Sequence, residues 1–164
     1  MLRALVIDDS AYNRVTLTRL LEGSGQIKAV ATAINGEDGI KQVMRHRPEV
    51  ITADLEMPVM DGFAFLRWLM ANAPTPVIVV SSRSSDRNVF KALELGAVDF
   101  VVKPGGRVST RLEEIAAELV AKILQARDVK LENVRKRITD EEPDQVPTGR
   151  IMTSGALAAD LIDF

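Results

Sequence analysis

Short apolar runs recur along the chain at Leu5-Val6-Ile7, Ile27 to Ala33, Val50-Ile51, Val77 to Val80 and Phe100-Val101-Val102, each bounded by polar or turn-forming residues. Runs of this length predict five buried strands. The segments between them repeat apolar residues at helical spacing instead. Val15, Leu17, Leu20 and Leu21 mark a first helix within Arg14 to Leu21, and Ile40, Val43 and Met44 a second within Glu37 to Arg45. Phe63, Phe65, Leu66, Leu69 and Met70 mark a third; Val89, Phe90, Leu93 and Leu95 a fourth; Leu112, Ile115, Leu119, Val120 and Ile123 a fifth.

Strand and helix thus alternate five times. Strands apolar on both faces call for a parallel sheet covered by helices on both sides and joined by right-handed crossovers. Such α/β sheets bind ligands at the carboxyl ends of their strands. Polar residues collect there: Asp8 and Asp9 after the first strand, Asp54 after the third, Ser81 at the end of the fourth and Lys103 after the fifth.

Beyond the fifth helix, Leu124, Leu131, Val134 and Ile138 continue an apolar stripe among charged residues, so residues 126–149 read as a helical extension and an acidic, proline-containing linker, Asp140 to Gly149. The stripe is too irregular for a clear heptad, leaving a linker or a homodimer through a short coiled coil as readings. Residues 150–164 form a tail without a readable role. At 164 residues, one domain of about 125 residues with this appendage is expected. Hydrophobic residues make up 46% and charged residues 27%, no apolar run is long enough to span a bilayer, and the N-terminus lacks a signal-peptide pattern; the expectation is a cytoplasmic protein. Zero cysteines exclude disulfides and thiolate metal sites, and a net charge of −2 gives no global reason to bind nucleic acid.

Three aspartates at one sheet edge repel and raise one another's pKa unless a cation neutralises them, and magnesium suits such oxygen donors. With Lys103 as a point charge and Ser81 as a hydroxyl donor, the edge is equipped to receive a phosphoryl group, and a carboxylate can itself be the nucleophile. Plainer roles compete. Asp9 or Ser10 can cap the next helix, Asp61 before Gly62 reads as a cap rather than a ligand, and Lys103 can be a solvated strand end. Ser81 and Ser82 point in opposite directions, so one of them faces the site. His46 reads as a cation at a helix C-terminus, Asn35-Gly36 as the turn opening the second helix, and Gly39 as a weak point in that helix.

The Asp8-Asp9 pair, the block Asp54-x-x-Met57-Pro58-x-x-Asp61-Gly62, Ser81 and Lys103-Pro104 together resemble a two-component response-regulator receiver domain, from about Leu2 to about Leu124. The resemblance implies a flavodoxin-like fold with strand order 2-1-3-4-5. It implies that Asp54 accepts phosphate from a histidine kinase, and that Mg²⁺ is held by Asp9 and Asp54, by Asp8 through water and by the backbone carbonyl of Glu56. It further implies that Lys103 contacts the phosphoryl group, that Ser81 moves toward it, that Phe100 turns inward as the switch, and that a cis peptide precedes Pro104.

The wording DLEMPVMDGFAFL, VIVVSS and ALELGAVDFVVKPGG is most similar to the receivers of chemotaxis methylesterase regulators. That subfamily carries an esterase domain with a glycine-rich serine segment, for which Thr153-Ser154-Gly155 is no substitute. A receiver fragment with its linker, or a stand-alone regulator, is expected, acting through a changed face of helix four, strand five and helix five on an output domain or partner. A Mg²⁺-dependent phosphohydrolase with an aspartate nucleophile is the alternative, although its acid/base position holds Glu56. A constitutive scaffold with a vestigial acidic pocket is the third reading.

Overall fold

The computed structural model describes residues 1–105 and 110–128. Five parallel strands form one sheet in the order β2-β1-β3-β4-β5: β1 Leu2–Ile7, β2 Ile27–Ala33, β3 Val50–Ala53, β4 Val77–Ser81 and β5 Asp99–Val102. The helices are α1 Ala11–Glu22, α2 Gly36–His46, α3 Gly62–Asn72, α4 Asp86–Glu94 and α5 Ala116–Ala126, the last preceded by a 3-10 turn at Leu112–Ile115. The five expected strands and the five helices between and after them are present, in the expected topology. Among the described residues no helix is long and apolar enough to cross a membrane.

Alternation along the strands builds two cores. Leu5, Ile7, Ile51, Val77 and Val79 face one side and bury Phe63, Phe65, Leu66, Leu69 and Val43 from α3 and α2. Ala4, Val6, Val50, Ile78, Val80 and Val101 face the other and bury Leu17, Leu21, Leu119 and Ile123 from α1 and α5. Each of the larger side chains contributes about 1.5–3 kcal/mol on leaving water, which holds both faces of the sheet shut.

The helix starts follow from short polar side chains. Ser10, Asn35, Asp61 and Ser85 each accept a backbone N–H three residues on, from Asn13, Asp38, Ala64 and Asn88 respectively. Of the candidates at the first helix, Ser10 is therefore the cap, and Asp61 caps α3 as expected. The other end of α2 is closed by Arg3 of β1, whose guanidinium donates to the carbonyls of His46 and Arg47. His46, the last residue of α2, is half-buried.

Gly39 has a packing role that its low helix propensity hides. A Cβ there would lie 2.7 Å from Ile7 Cδ1 and 3.1 Å from the Phe65 ring. The helix gives up propensity so that α2 can sit close against β1 and α3. α5 ends at Ala126, where the Asp128 N–H turns back onto the Gln125 carbonyl at 3.1 Å. The expected extension beyond residue 128 and the tail 150–164 lie outside the described residues.

Candidate functional site

Strand register delivers the polar residues to one place. Ile7 pairs with Ala53, so the next residues, Asp8 and Asp54, leave the sheet side by side. The Asp54 N–H bonds to the Ile7 carbonyl at 3.1 Å, and the Asp8 N–H to the Ala33 carbonyl at 3.1 Å. On the other flank Ser81 pairs with Val102, and the Lys103 N–H bonds to the Ser81 carbonyl at 3.0 Å. The carboxyl edge is thus rigid backbone up to the residue before each functional side chain.

Asp8, Asp9 and Asp54 each offer a carboxylate oxygen, and these atoms lie within 4.8 Å of one another. Lys103 reaches across from β5 and donates to Asp8 Oδ2 at 3.0 Å and to Asp54 Oδ2 at 2.9 Å. Asp8, Asp54 and Lys103 are only 1%, 2% and 1% exposed, so these are buried ion pairs. Asp8 and Asp54 share the Lys103 ammonium, and the half-buried Asp9 carboxylate lies beside them. Carboxylates crowded in this way favour a cation among them. The donor set, all oxygen and all carboxylate, fits a hard cation of the magnesium or calcium type.

The electrostatics match. Burial pushes the Asp8 carboxyl above its ordinary value of 3.8; the Lys103 charge pulls it down and Asp54 raises it again. For Lys103, burial alone would lower the ammonium pKa, but Asp54 and Asp8 overcome that and hold it above 10.5. The ammonium is therefore a permanent positive charge at neutral pH.

Asp54 is held from its own loop. Its Oδ1 accepts the Leu55 N–H at 2.7 Å and, more weakly, the Glu56 N–H at 3.4 Å. Gly62 folds back, its N–H bonding the Leu55 carbonyl at 2.9 Å, and a Cβ at Gly62 would lie 2.3 Å from the Asp54 carbonyl oxygen. Only glycine lets α3 start so close to the strand end. Between them Val59 adopts φ 69°, and the Met60 N–H closes a three-residue turn onto the Pro58 carbonyl at 2.7 Å. A β-branched residue in this region is strained, and strain of this kind gathers at functional loops. Gly36 of α2 steadies the turn, donating its N–H to the Met60 carbonyl at 2.9 Å.

The remaining expected residues fall around this centre. Glu56 is half-buried in the same loop. Ser81 is fully buried at the end of β4, its Oγ accepting the Arg83 N–H at 3.1 Å, while Ser82 is half-buried. Phe100 is 8% exposed and packs into the core on the α3 side of the sheet. One expectation is corrected: the described residues contain no cis peptide bond, so the Lys103–Pro104 bond is trans. The trans and cis forms before proline differ by only about 0.5–1 kcal/mol, and here the chain turns at Gly105, with φ 83°.

Sequence reasoning missed Asn13, a fully buried amide of α1 whose Nδ2 lies 3.3 Å from both carboxylate oxygens of Asp8. The available signal was a polar residue among the apolar positions of a helix that starts just after Asp8. Reading α1 from Arg14 left Asn13 outside the helix.

Comparison with known proteins agrees with this geometry. The response regulator receiver domain family matches residues 4–117. A protein-glutamate methylesterase/protein-glutamine glutaminase of Geobacter sulfurreducens is 44% identical over 155 residues, 94% of this chain and 42% of that protein. One from Myxococcus xanthus is 49% identical over 130 residues, 79% of this chain and 38% of that protein. The chain thus spans about two-fifths of the length of these curated relatives. Among solved structures, the response regulator domain of Thermotoga maritima CheB is 39% identical with a TM-score of 0.77, covering 79% of this chain and 98% of that one. The CheX-CheY-BeF3-Mg complex from Borrelia burgdorferi is 28% identical with a TM-score of 0.61, covering 76% of this chain and 85% of that one. With three carboxylates and a lysine gathered at the carboxyl edge of a β2-β1-β3-β4-β5 sheet, and with these matches, the chain belongs to the response regulator receiver domain family, on the side of the chemotaxis methylesterase regulators.

Proposed function

We propose that this chain is a phosphorylation-operated switch in chemotaxis signalling in the cytoplasm, that Asp54 is its phosphoacceptor, and that a histidine kinase is its phosphodonor. The observation that carries the reading is the buried bridge of Lys103 between Asp54 Oδ2 and Asp8 Oδ2 within the acidic cluster. A carboxylate oxygen of Asp54 bonds to phosphorus as the bond from phosphorus to the donor breaks, and the donor keeps that electron pair. Leu55 N–H fixes the carboxylate plane for attack. Lys103, held charged, exchanges its bond to Asp54 for one to a phosphoryl oxygen and so stabilises the charge that spreads there.

Mg²⁺ is the proposed cofactor, with Asp9, Asp54 and the Glu56 carbonyl as its protein donors and Asp8 acting through water. When bound it would supply charge neutralisation for the cluster and for the phosphoryl oxygens. The CheX-CheY complex solved with BeF3 and Mg supports that assignment by likeness of fold. Ser81 Oγ would release the Arg83 N–H and turn to the phosphoryl group. That movement, on the strand paired with β5, would shift the α4-β5-α5 face between two populations through Phe100. Exposed Phe90, Leu93 and Val102 supply this face with apolar contact area for an output domain or partner. Relatives named for methylesterase and glutaminase activity, of which this chain spans under half, make such a catalytic domain the proposed output.

The phosphohydrolase reading gains no support from the comparisons. Incubation with acetyl phosphate, with and without Mg²⁺, tests the choice. One phosphoryl group per chain, taken up in a Mg²⁺-dependent way and slowly lost, is expected; sustained turnover of simple phosphomonoesters would overturn it.

A further inference from the structure

The buried amide of Asn13 remains without a role in the phosphoryl chemistry above. A polar group of that size in a core costs free energy unless its hydrogen bonds are made. Its donor end faces Asp8, with Nδ2 3.3 Å from Oδ1 and 3.3 Å from Oδ2. The same carboxylate also receives the Ser10 N–H on Oδ1 at 2.9 Å and Lys103 Nζ on Oδ2 at 3.0 Å. Next along α1, Arg14 Nη1 donates to the Asp8 backbone carbonyl at 2.8 Å. Two consecutive residues of α1 therefore grip one acidic residue, one by its side chain and one by its backbone.

Two effects of the amide oppose each other. It competes for lone pairs that a cation or its water would use, and it fixes the carboxylate plane. A carboxylate has about four acceptor sites, and contacts of 3.3 Å at both oxygens are long, so they orient more than they withdraw charge. Partners of this kind, one step behind the ligands, typically govern about 10- to 100-fold in metal affinity.

We infer that Asn13 is a positioning residue that holds the Asp8 carboxylate in the orientation completing the divalent-cation site. The inference rests on the Mg²⁺ reading given above. Its test is calorimetric Mg²⁺ titration of the full chain at fixed pH, for the wild type, Asn13→Leu, Asp8→Asn and the double variant, with folding checked by circular dichroism. In the Asp8-containing background, Asn13→Leu is expected to raise the Mg²⁺ dissociation constant about tenfold. In the Asp8→Asn background the same change is expected to have little further effect, because the amide acts through Asp8. Asn13→Ser, which removes the reach to Asp8 without adding bulk, repeats the test if the leucine variant does not fold. A wild type that binds no Mg²⁺ would sink the cofactor reading itself. A wild type that binds, with either Asn13 variant binding equally well, would overturn this inference alone, as would an equal loss in both Asp8 backgrounds.

Discussion

Lys103 shows how one side chain can serve both stability and chemistry. It is buried between Asp8 and Asp54, and removing one member of a buried ion-pair group strands the others. Lys103→Met should cost the Mg²⁺-free protein about 3 kcal/mol near neutral pH, read as a fall in the urea midpoint. The pH dependence has a definite sign. Lys103 has a folded pKa raised above 10.5, so its contribution is fully present below 10.5 and lost as pH rises through the folded value. Asp8, raised above 3.8, takes up its proton more readily in the fold, so the penalty of its buried charge is absent below 3.8 and appears as pH rises through the folded value. The difference between wild type and Lys103→Met should therefore be a plateau that shrinks at both ends. A difference that stayed flat from acid to alkaline pH would contradict the buried pairing. The residues of this cluster were legible because chemistry of this kind needs carboxylates and a lysine at strand ends. Asn13 was not, since a lone asparagine reads equally well as a surface residue until the helix is known to begin at Ala11.

Element by element, the apolar runs located all five strands, and helix ends were set by caps that sequence shows but does not rank. Ser10 rather than Asp9 caps α1, and the Asp9 carboxylate lies with the acidic cluster. What the pattern hid is close approach. Gly39 looked like a flaw in α2, yet its missing Cβ makes room for Ile7, the residue immediately before Asp8. Gly39→Ala poses a contest of magnitudes. The gain in helix propensity is about 1 kcal/mol, while overpacking a core typically costs about 1–3 kcal/mol. With the new methyl 2.7 Å from Ile7 Cδ1 and 3.1 Å from the Phe65 ring, the packing cost should win and leave the variant about 1 kcal/mol less stable. Chemical denaturation measures this, and a more stable alanine variant would show that α2 can move away from β1 freely. The turn at Val59 was equally invisible, because no sequence rule asks a valine to take φ 69°. It is imposed by Gly62 and Gly36 drawing the two ends of the loop inward.

Taken whole, the molecule is a doubly wound sheet whose topology gathers residues from positions 8 to 103 at one edge. The edge gathers three carboxylates and a lysine, which favours an arriving cation, and the Asp54 carboxylate is oriented by backbone N–H groups. The fold class was readable because alternation of strand and helix leaves few alternatives. The trans bond before Pro104 was not readable, since it depends on how the loop after β5 packs. Everything in this account turns on Asp54 being the residue that takes the phosphoryl group. Mass spectrometry of wild type and Asp54→Asn after incubation with acetyl phosphate and Mg²⁺ decides it. One phosphoryl group on the wild type, lost on chelating Mg²⁺ beforehand and absent from Asp54→Asn, is the predicted result; uptake by Asp54→Asn at the wild-type level would contradict it.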